Sequence, residues 1–313
     1  MATEPVIIDC DPGQDDAVAL LLALASPGDL NVLAVTAVSG NVPLELTAAN
    51  ARRVIELAGR SDVPVHAGCD RPLLRPAVTA EHMHGQTGLD GAGLPDTATA
   101  LADGHAVEAI IELLRERPSG SVTLCPVGPL TNVALALHLA PDIADRIGRI
   151  VLMGGAAGPG NVTPSAEFNI YVDPHAASIV FRSGAPIVML GLDVTQQALV
   201  NADRLAAIAA VDTPVSRSVV GMLDFYGARS RVNPSAGSPL HDPCAVAYLL
   251  DPGLFAGRPC HVMIEVEGTH TLGRTVVDRS GRADTHPNAT VIDEVDAGGL
   301  FALLTERLAR LTA

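Results

Sequence analysis

The sequence predicts an α/β fold in one domain, and three observations predict it. Short β-branched runs alternate with helix-length stretches from the first residues onward. The 313 residues are 48% hydrophobic and only 18% charged, a composition that buries a substantial core. With no Trp, five Phe and three Tyr, that core is aliphatic. Strands separated by helix-length segments form right-handed βαβ units in a mostly parallel sheet covered on both faces.

The elements follow in order. Val6-Ile7-Ile8 reads as a first strand, and residues 16–25 form an apolar helix after a Pro-Gly turn. Residues 31–38 are rich in Val and strand-like, and 46–58 repeat apolar residues at helical spacing. A helix at 105–115, a strand at 122–127 and a helix at 131–139 continue the alternation, followed by a strand at 149–153, a helix at 174–182 and a strand at 186–192. Residues 261–291 instead suggest antiparallel strands around a Gly/Asp/Pro-rich turn, a small C-terminal addition and not a second domain. No repeat or linker interrupts residues 1–313, so the expectation is a single-domain, Rossmann-like sheet with helices on both faces.

Charge and cysteine usage narrow the function. A net charge of -15 opposes binding to a nucleic-acid backbone, which requires cationic groups to displace its counterions. Small molecules and metal ions are better partners. The five cysteines contain no C-x-x-C pair and are odd in number, which suggests neither a zinc site nor a disulfide framework. No stretch is long enough to span a bilayer and the N-terminus lacks a signal pattern, so a cytoplasmic protein is expected.

The chemistry concentrates at residues 9–16, where Asp9, Asp11, Asp15 and Asp16 place four carboxylates in eight residues directly after an apolar strand. Helix capping accounts for one or two of them. Crowding all four raises their pKa values and destabilises the fold unless a cation is bound. Oxygen donors without a neighbouring thiol or imidazole favour a hard ion such as Ca²⁺ or Mg²⁺ over zinc.

The D-C-D-P-G-x-D-D-A core within residues 8–20 closely resembles the signature of the inosine-uridine nucleoside hydrolase family. Further ordered matches are Ser39-Gly40-Asn41, Ala67-Gly68-Cys69-Asp70, His82-Met83-His84-Gly85, Val127-Gly128-Pro129-Leu130-Thr131-Asn132, Val151-Leu152-Met153-Gly154-Gly155, Glu167-Phe168-Asn169 and His241-Asp242-Pro243. The resemblance spans almost the whole chain. It implies Ca²⁺-dependent hydrolysis of the N-glycosidic bond of ribonucleosides, in a homo-dimer or homotetramer.

By resemblance, Ca²⁺ is held by Asp11, Asp16, the carbonyl of Val127 and Asp242. The family usually has Thr at the carbonyl position, but a main-chain ligand does not need the hydroxyl. Asp11 is also implied as the base for an attacking water, and Asp15 as the group that grips the ribose hydroxyls. Asn41, Asn161, Glu167 and Asn169 match sugar-binding positions, with Met153 and Phe168 as flanking contacts. His241 stands where the family places a proton donor to the departing base, a task suited to an imidazole of pKa about 6.5. His84 matches a substrate-pocket position, whereas His82 reads as incidental. In the stretch from Phe225 to Arg231, a gapless count back from His241 puts Arg229 where the family has a base-covering tyrosine, which leaves the preferred base open.

Two other readings compete for these residues. A Mg²⁺-dependent phosphohydrolase accounts for Asp9 and Asp11 but needs a helix-borne Lys and a basic phosphate cradle that the sequence lacks. A non-catalytic ribonucleoside- or ribose-binding protein would keep the pocket yet have no need of Asp11 as a base.

Overall fold

In a computed structural model, residues 3–229, 237–282 and 285–312 are described. The strands are β1 (Glu4–Cys10), β2 (Leu30–Ala37), β3 (Val65–Ala67), β4 (Val122–Pro126), β5 (Ile147–Met153), β6 (Ile187–Leu190), β7 (Leu199–Val200), β8 (Ser238–Pro239), β9 (Phe255–Ile264), β10 (Thr275–Asp278) and β11 (Ala289–Val295). Nine of these form one sheet in the order β10-β9-β11-β6-β5-β4-β1-β2-β3, and β7 pairs with β8 in a separate ribbon. From β11 through β3 every neighbouring pair is parallel; β9 alone runs antiparallel, to both β10 and β11.

The strand β1 shows why the sheet is covered on both faces. Successive side chains alternate between faces, so Val6, Ile8 and Cys10 enter one apolar core while Ile7 enters the other. Such a strand must be apolar at nearly every position. The helix that follows, Gln14–Leu24, has all eleven residues buried. It needs no polar face, because it packs against the helices Leu44–Leu57, Pro214–Gly227, Pro243–Leu250 and Ala297–Leu308.

The expected elements lie within a few residues of those observed. The antiparallel strands expected at 261–291 are present, but they extend the main sheet: β11 pairs in parallel with β6, Thr290 opposite Val188. The helices Ala202–Ala209, Pro214–Gly227 and Ala297–Leu308, the short β3 and the β7–β8 ribbon were not anticipated.

Strand order places the site. The chain runs from β1 outward to β2 and β3, then returns to lay β4 on the other side of β1. The loops after β1 and β4 therefore part in opposite directions and leave a crevice at the carboxyl ends of the strands, where open α/β sheets bind ligands.

Candidate active site

Four loops converge on this crevice. Asp11 follows β1, Asn41 follows β2, Val127 follows β4 and Met153 ends β5. They line a cavity of about 490 Å³, a size that takes a small-molecule ligand.

The turn after β1 is held by its own aspartates. Asp16, in the first turn of the Gln14–Leu24 helix, accepts from the Asp11 amide at 3.1 Å and the Gly13 amide at 3.0 Å, so it serves in part as the cap that capping chemistry predicts. The Asn41 side chain bridges the Asp11 carbonyl and Asp16 Oδ2, both at 3.1 Å. Asp11 Oδ2 accepts from the Asn41 amide at 2.6 Å. Asp11 Oδ1 and Asp15 Oδ1 are buried with no hydrogen-bond partner among the described residues.

Asp242 arrives from the far end of the chain, at the head of the Pro243–Leu250 helix, yet its carboxylate makes no capping bond. It turns instead to the first motif. One oxygen from each of Asp15, Asp16 and Asp242 lies within 4.8 Å of the others, a group that could hold a metal ion. Asp11 sits against this trio through Asp16. Burial raises the carboxyl pKa of Asp11, Asp15, Asp16 and Asp242, and the charge of neighbouring aspartates raises Asp11, Asp15 and Asp242 further. Asp9, the other member of the sequence cluster, points away on the Ile7 face of β1. Its Oδ1 accepts from Thr36 Oγ1 at 2.6 Å and Asn132 Nδ2 at 2.8 Å, and it is absent from the cavity wall.

Two glycines make room for Asp11. A Cβ on Gly40 would lie 2.1 Å from Asp11 Oδ2, and one on Gly128 would lie 2.4 Å from Asp11 Oδ1. The glycines of the Ser39-Gly40-Asn41 and Val127-Gly128-Pro129 segments are thus required by the approach of one carboxylate.

The segment after β5 supplies the opposite wall. Glu167 caps the short Phe168–Val172 helix, accepting from the amides of Gly155 at 2.8 Å and Asn169 at 3.0 Å. Burial pushes its carboxyl up to about 7 despite those bonds. Asn169 Nδ2, in the side chain, donates to the Val127 carbonyl at 2.7 Å and the Met153 carbonyl at 3.2 Å. Asn161 accepts from the Phe168 amide at 2.9 Å. These residues and Met153, Phe168 and Val127 all line the cavity.

Two histidines line it as well. His241 Nδ1 is 2.7 Å from the Thr195 hydroxyl, and burial lowers its pKa to about 4. His84 Nδ1 is 2.7 Å from Gln14 Oε1, and burial, with the nearby His241 and His82, lowers its pKa to about 3. The rings of His84 and Tyr226 lie 5.5 Å apart. Both imidazoles are therefore neutral near pH 7.

Of the sequence-predicted residues, Asp16 lies just beneath the cavity wall and Arg229 is not brought to it at all. Arg229 is exposed, its guanidinium 3.5 Å from the ring centre of Phe225, one helical turn back, and Nη1 donates to the Phe225 carbonyl at 3.2 Å. Residues 230 and 231 of that stretch lie outside the described residues. Tyr226, in the same stretch, lines the cavity instead. Its signal was present: Val215, Val219, Met222, Leu223 and Tyr226 continue one buried stripe at helical spacing. Gln196, which no motif contains, and the exposed His82, which reads as incidental in the sequence, both line the cavity as well.

The sequence matches the description "Inosine-uridine preferring nucleoside hydrolase" over residues 6–302. It is 49% identical over 310 residues to the pyrimidine-specific ribonucleoside hydrolase RihA of Photobacterium profundum, covering 98% of this chain and 99% of that one. To the enzyme of the same name from Salmonella agona it is 48% identical over 306 residues, 97% and 98% of the two chains. Among solved structures, the purine-preferring ribonucleoside hydrolase of Gardnerella vaginalis superposes with a TM-score of 0.92 at 35% identity, covering 99% of both chains. A parallel sheet with an acidic crevice at its switch point, and likeness along nearly the full length, lead to one assignment: the chain belongs to the inosine-uridine preferring nucleoside hydrolase family and is an N-glycosidase.

Proposed function

We propose that this enzyme is a Ca²⁺-dependent hydrolase of pyrimidine ribonucleosides, releasing ribose and the free base. The observation that carries the reading is the buried carboxylate group of Asp15, Asp16 and Asp242, with Asp11 against it and two carboxylate oxygens lacking any partner. A bound dication offsets the desolvation and mutual repulsion of these groups. Asp11, Asp16, Asp242 and the Val127 carbonyl would hold it, and a donor set made only of oxygens fits a hard ion. When bound, the ion supplies a positive centre that orients the vicinal ribose hydroxyls and acidifies water.

The chain's own residues perform the rest. Asp11 Oδ1 takes the proton of the water that attacks C1′, while Asn41 holds Oδ2 in place. Asp15 grips the ribose hydroxyls through its free Oδ1, and Asn41, Asn161, Glu167 and Asn169 surround the sugar with oxygens. These stabilise the positive charge that grows on the ribose as the bond breaks. Met153 and Phe168 close its flanks. His241 is neutral, so it assists the leaving base as an imidazole N–H donor, with the Thr195 hydroxyl donating to Nδ1. Pyrimidine preference is supported by the 49% identity to a pyrimidine-specific relative, against 35% to a purine-preferring one. Homo-oligomeric assembly in the cytoplasm completes the reading, and gel filtration tests the assembly.

The deciding experiment is ribose release from uridine, cytidine and inosine, with and without a chelator. Release from uridine and cytidine that stops on chelation and returns with Ca²⁺ is expected. Nucleoside binding without ribose formed would leave only a binding protein.

A further inference from the structure

We propose that Gln14 fixes His84 as a hydrogen-bond acceptor facing the nucleobase, so that the cavity favours bases presenting an N–H at that edge. The inference rests on the ribonucleoside reading above. Gln14 is fully buried, between Gly13 and Asp15. Its amide nitrogen lies 3.0 Å from the His84 carbonyl oxygen and 3.1 Å from that of Asp90. Carbonyl oxygens only accept, so the amide nitrogen must occupy that side and Oε1 must face the other way. Oε1 is 2.7 Å from His84 Nδ1. An amide oxygen cannot donate, so the proton of that bond belongs to Nδ1. A neutral imidazole carries one N–H, which leaves the lone pair on Nε2.

The ring has little freedom to escape this state. One face lies so close to the turn that a Cβ on Gly13 would be 2.3 Å from Nδ1 and 2.7 Å from Cε1. The Tyr226 ring lies 5.5 Å from it. Flipping the ring would forfeit the bond to Gln14 and leave a buried amide oxygen without a donor, a cost of about 1–3 kcal/mol. His84 therefore reads the base by accepting, and has no proton on Nε2 to give to it. The N3–H of uracil is a donor of this kind. A methyl group at N3 both removes the donor and sets an apolar group against a buried lone pair.

Two measurements test this. In the full chain labelled with ¹⁵N-histidine, a long-range ¹H–¹⁵N correlation at neutral pH reports the tautomer, with the His84 signals assigned by their loss in His84→Gln. A protonated Nδ1 and an unprotonated Nε2 are expected, and the reverse pattern overturns the proposal. In the second, kcat/KM is compared for uridine and 3-methyluridine. The wild type should favour uridine by about tenfold or more, and Gln14→Met should lose most of that ratio, chiefly through KM for uridine. An unchanged ratio in Gln14→Met, or no preference in the wild type, overturns it. Absence of any ribose release would defeat the ribonucleoside reading, whereas the tautomer measurement needs no turnover and stands separately.

Discussion

The two oxygens of Asp11 differ in state: Oδ2 is held at 2.6 Å by the Asn41 amide and Oδ1 has no partner. A carboxylate anchored at one oxygen and free at the other can serve as ligand and base together. Asp11→Ala should lower kcat by about 10³-fold or more while the circular dichroism spectrum stays native; full activity would refute both roles. His241→Ala should lose far more activity on uridine than on p-nitrophenyl riboside, whose leaving group needs no proton. Equal losses on the two substrates would remove His241 as the donor. Several of these residues were readable because they cluster along the chain, as Asp11, Asp15 and Asp16 do. Asp9 shares the cluster but turns to Thr36 and Asn132, a difference set by strand alternation. Gln14 and Thr195 orient the histidines from positions remote in sequence, so nothing local marked them.

At the level of elements, the turn between β1 and the Gln14–Leu24 helix acts as a socket whose walls come from other loops. Neither Gly40 nor Gly128 has a positive φ. An alanine at either is thus acceptable to its own φ and clashes first with Asp11, and at Gly40 also with Pro129 Cδ at 2.9 Å. Gly40→Ala should lower kcat/KM about a hundredfold, the scale of a misplacement of roughly 1 Å, with little change in melting temperature. Wild-type activity in that variant would show that Asp11 has room to move. The parallel strands were legible in the sequence because burial on both faces demands continuous apolar runs. The helix Pro214–Gly227 carries a buried stripe at helical spacing that ends at Tyr226. The gapless count back from His241 points to Arg229, which stacks on Phe225 outside the cavity.

For the whole molecule, the buried acids set how stability depends on pH. Burial raises Glu167 and Asp9 each to about 7, and the four aspartates of the cluster are raised in the same direction. A group whose folded pKa lies above its unfolded value stabilises most at low pH, and that contribution is lost as pH rises through the folded pKa. His84 and His241, lowered to about 3 and about 4, act oppositely but only below the ordinary histidine pKa of about 6.5. Between pH about 6.5 and about 8 the acids act alone, so the chelated protein should melt at progressively lower temperature across that window. Saturating Ca²⁺ should remove most of the decline, and contributes about 2.7 kcal/mol at a hundred times its Kd. A chelated protein with a flat profile would contradict the burial argument.

The wholly buried helix Gln14–Leu24 bears on how the protein is made. It is synthesised well before three of the four helices that surround it, Pro214–Gly227, Pro243–Leu250 and Ala297–Leu308. On the ribosome, then, its apolar surface waits for those later helices, as Asp11 does for Asp242. Until they emerge, that segment is exposed in the manner that chaperones shield, and the carboxylate group of Asp15, Asp16 and Asp242 is incomplete.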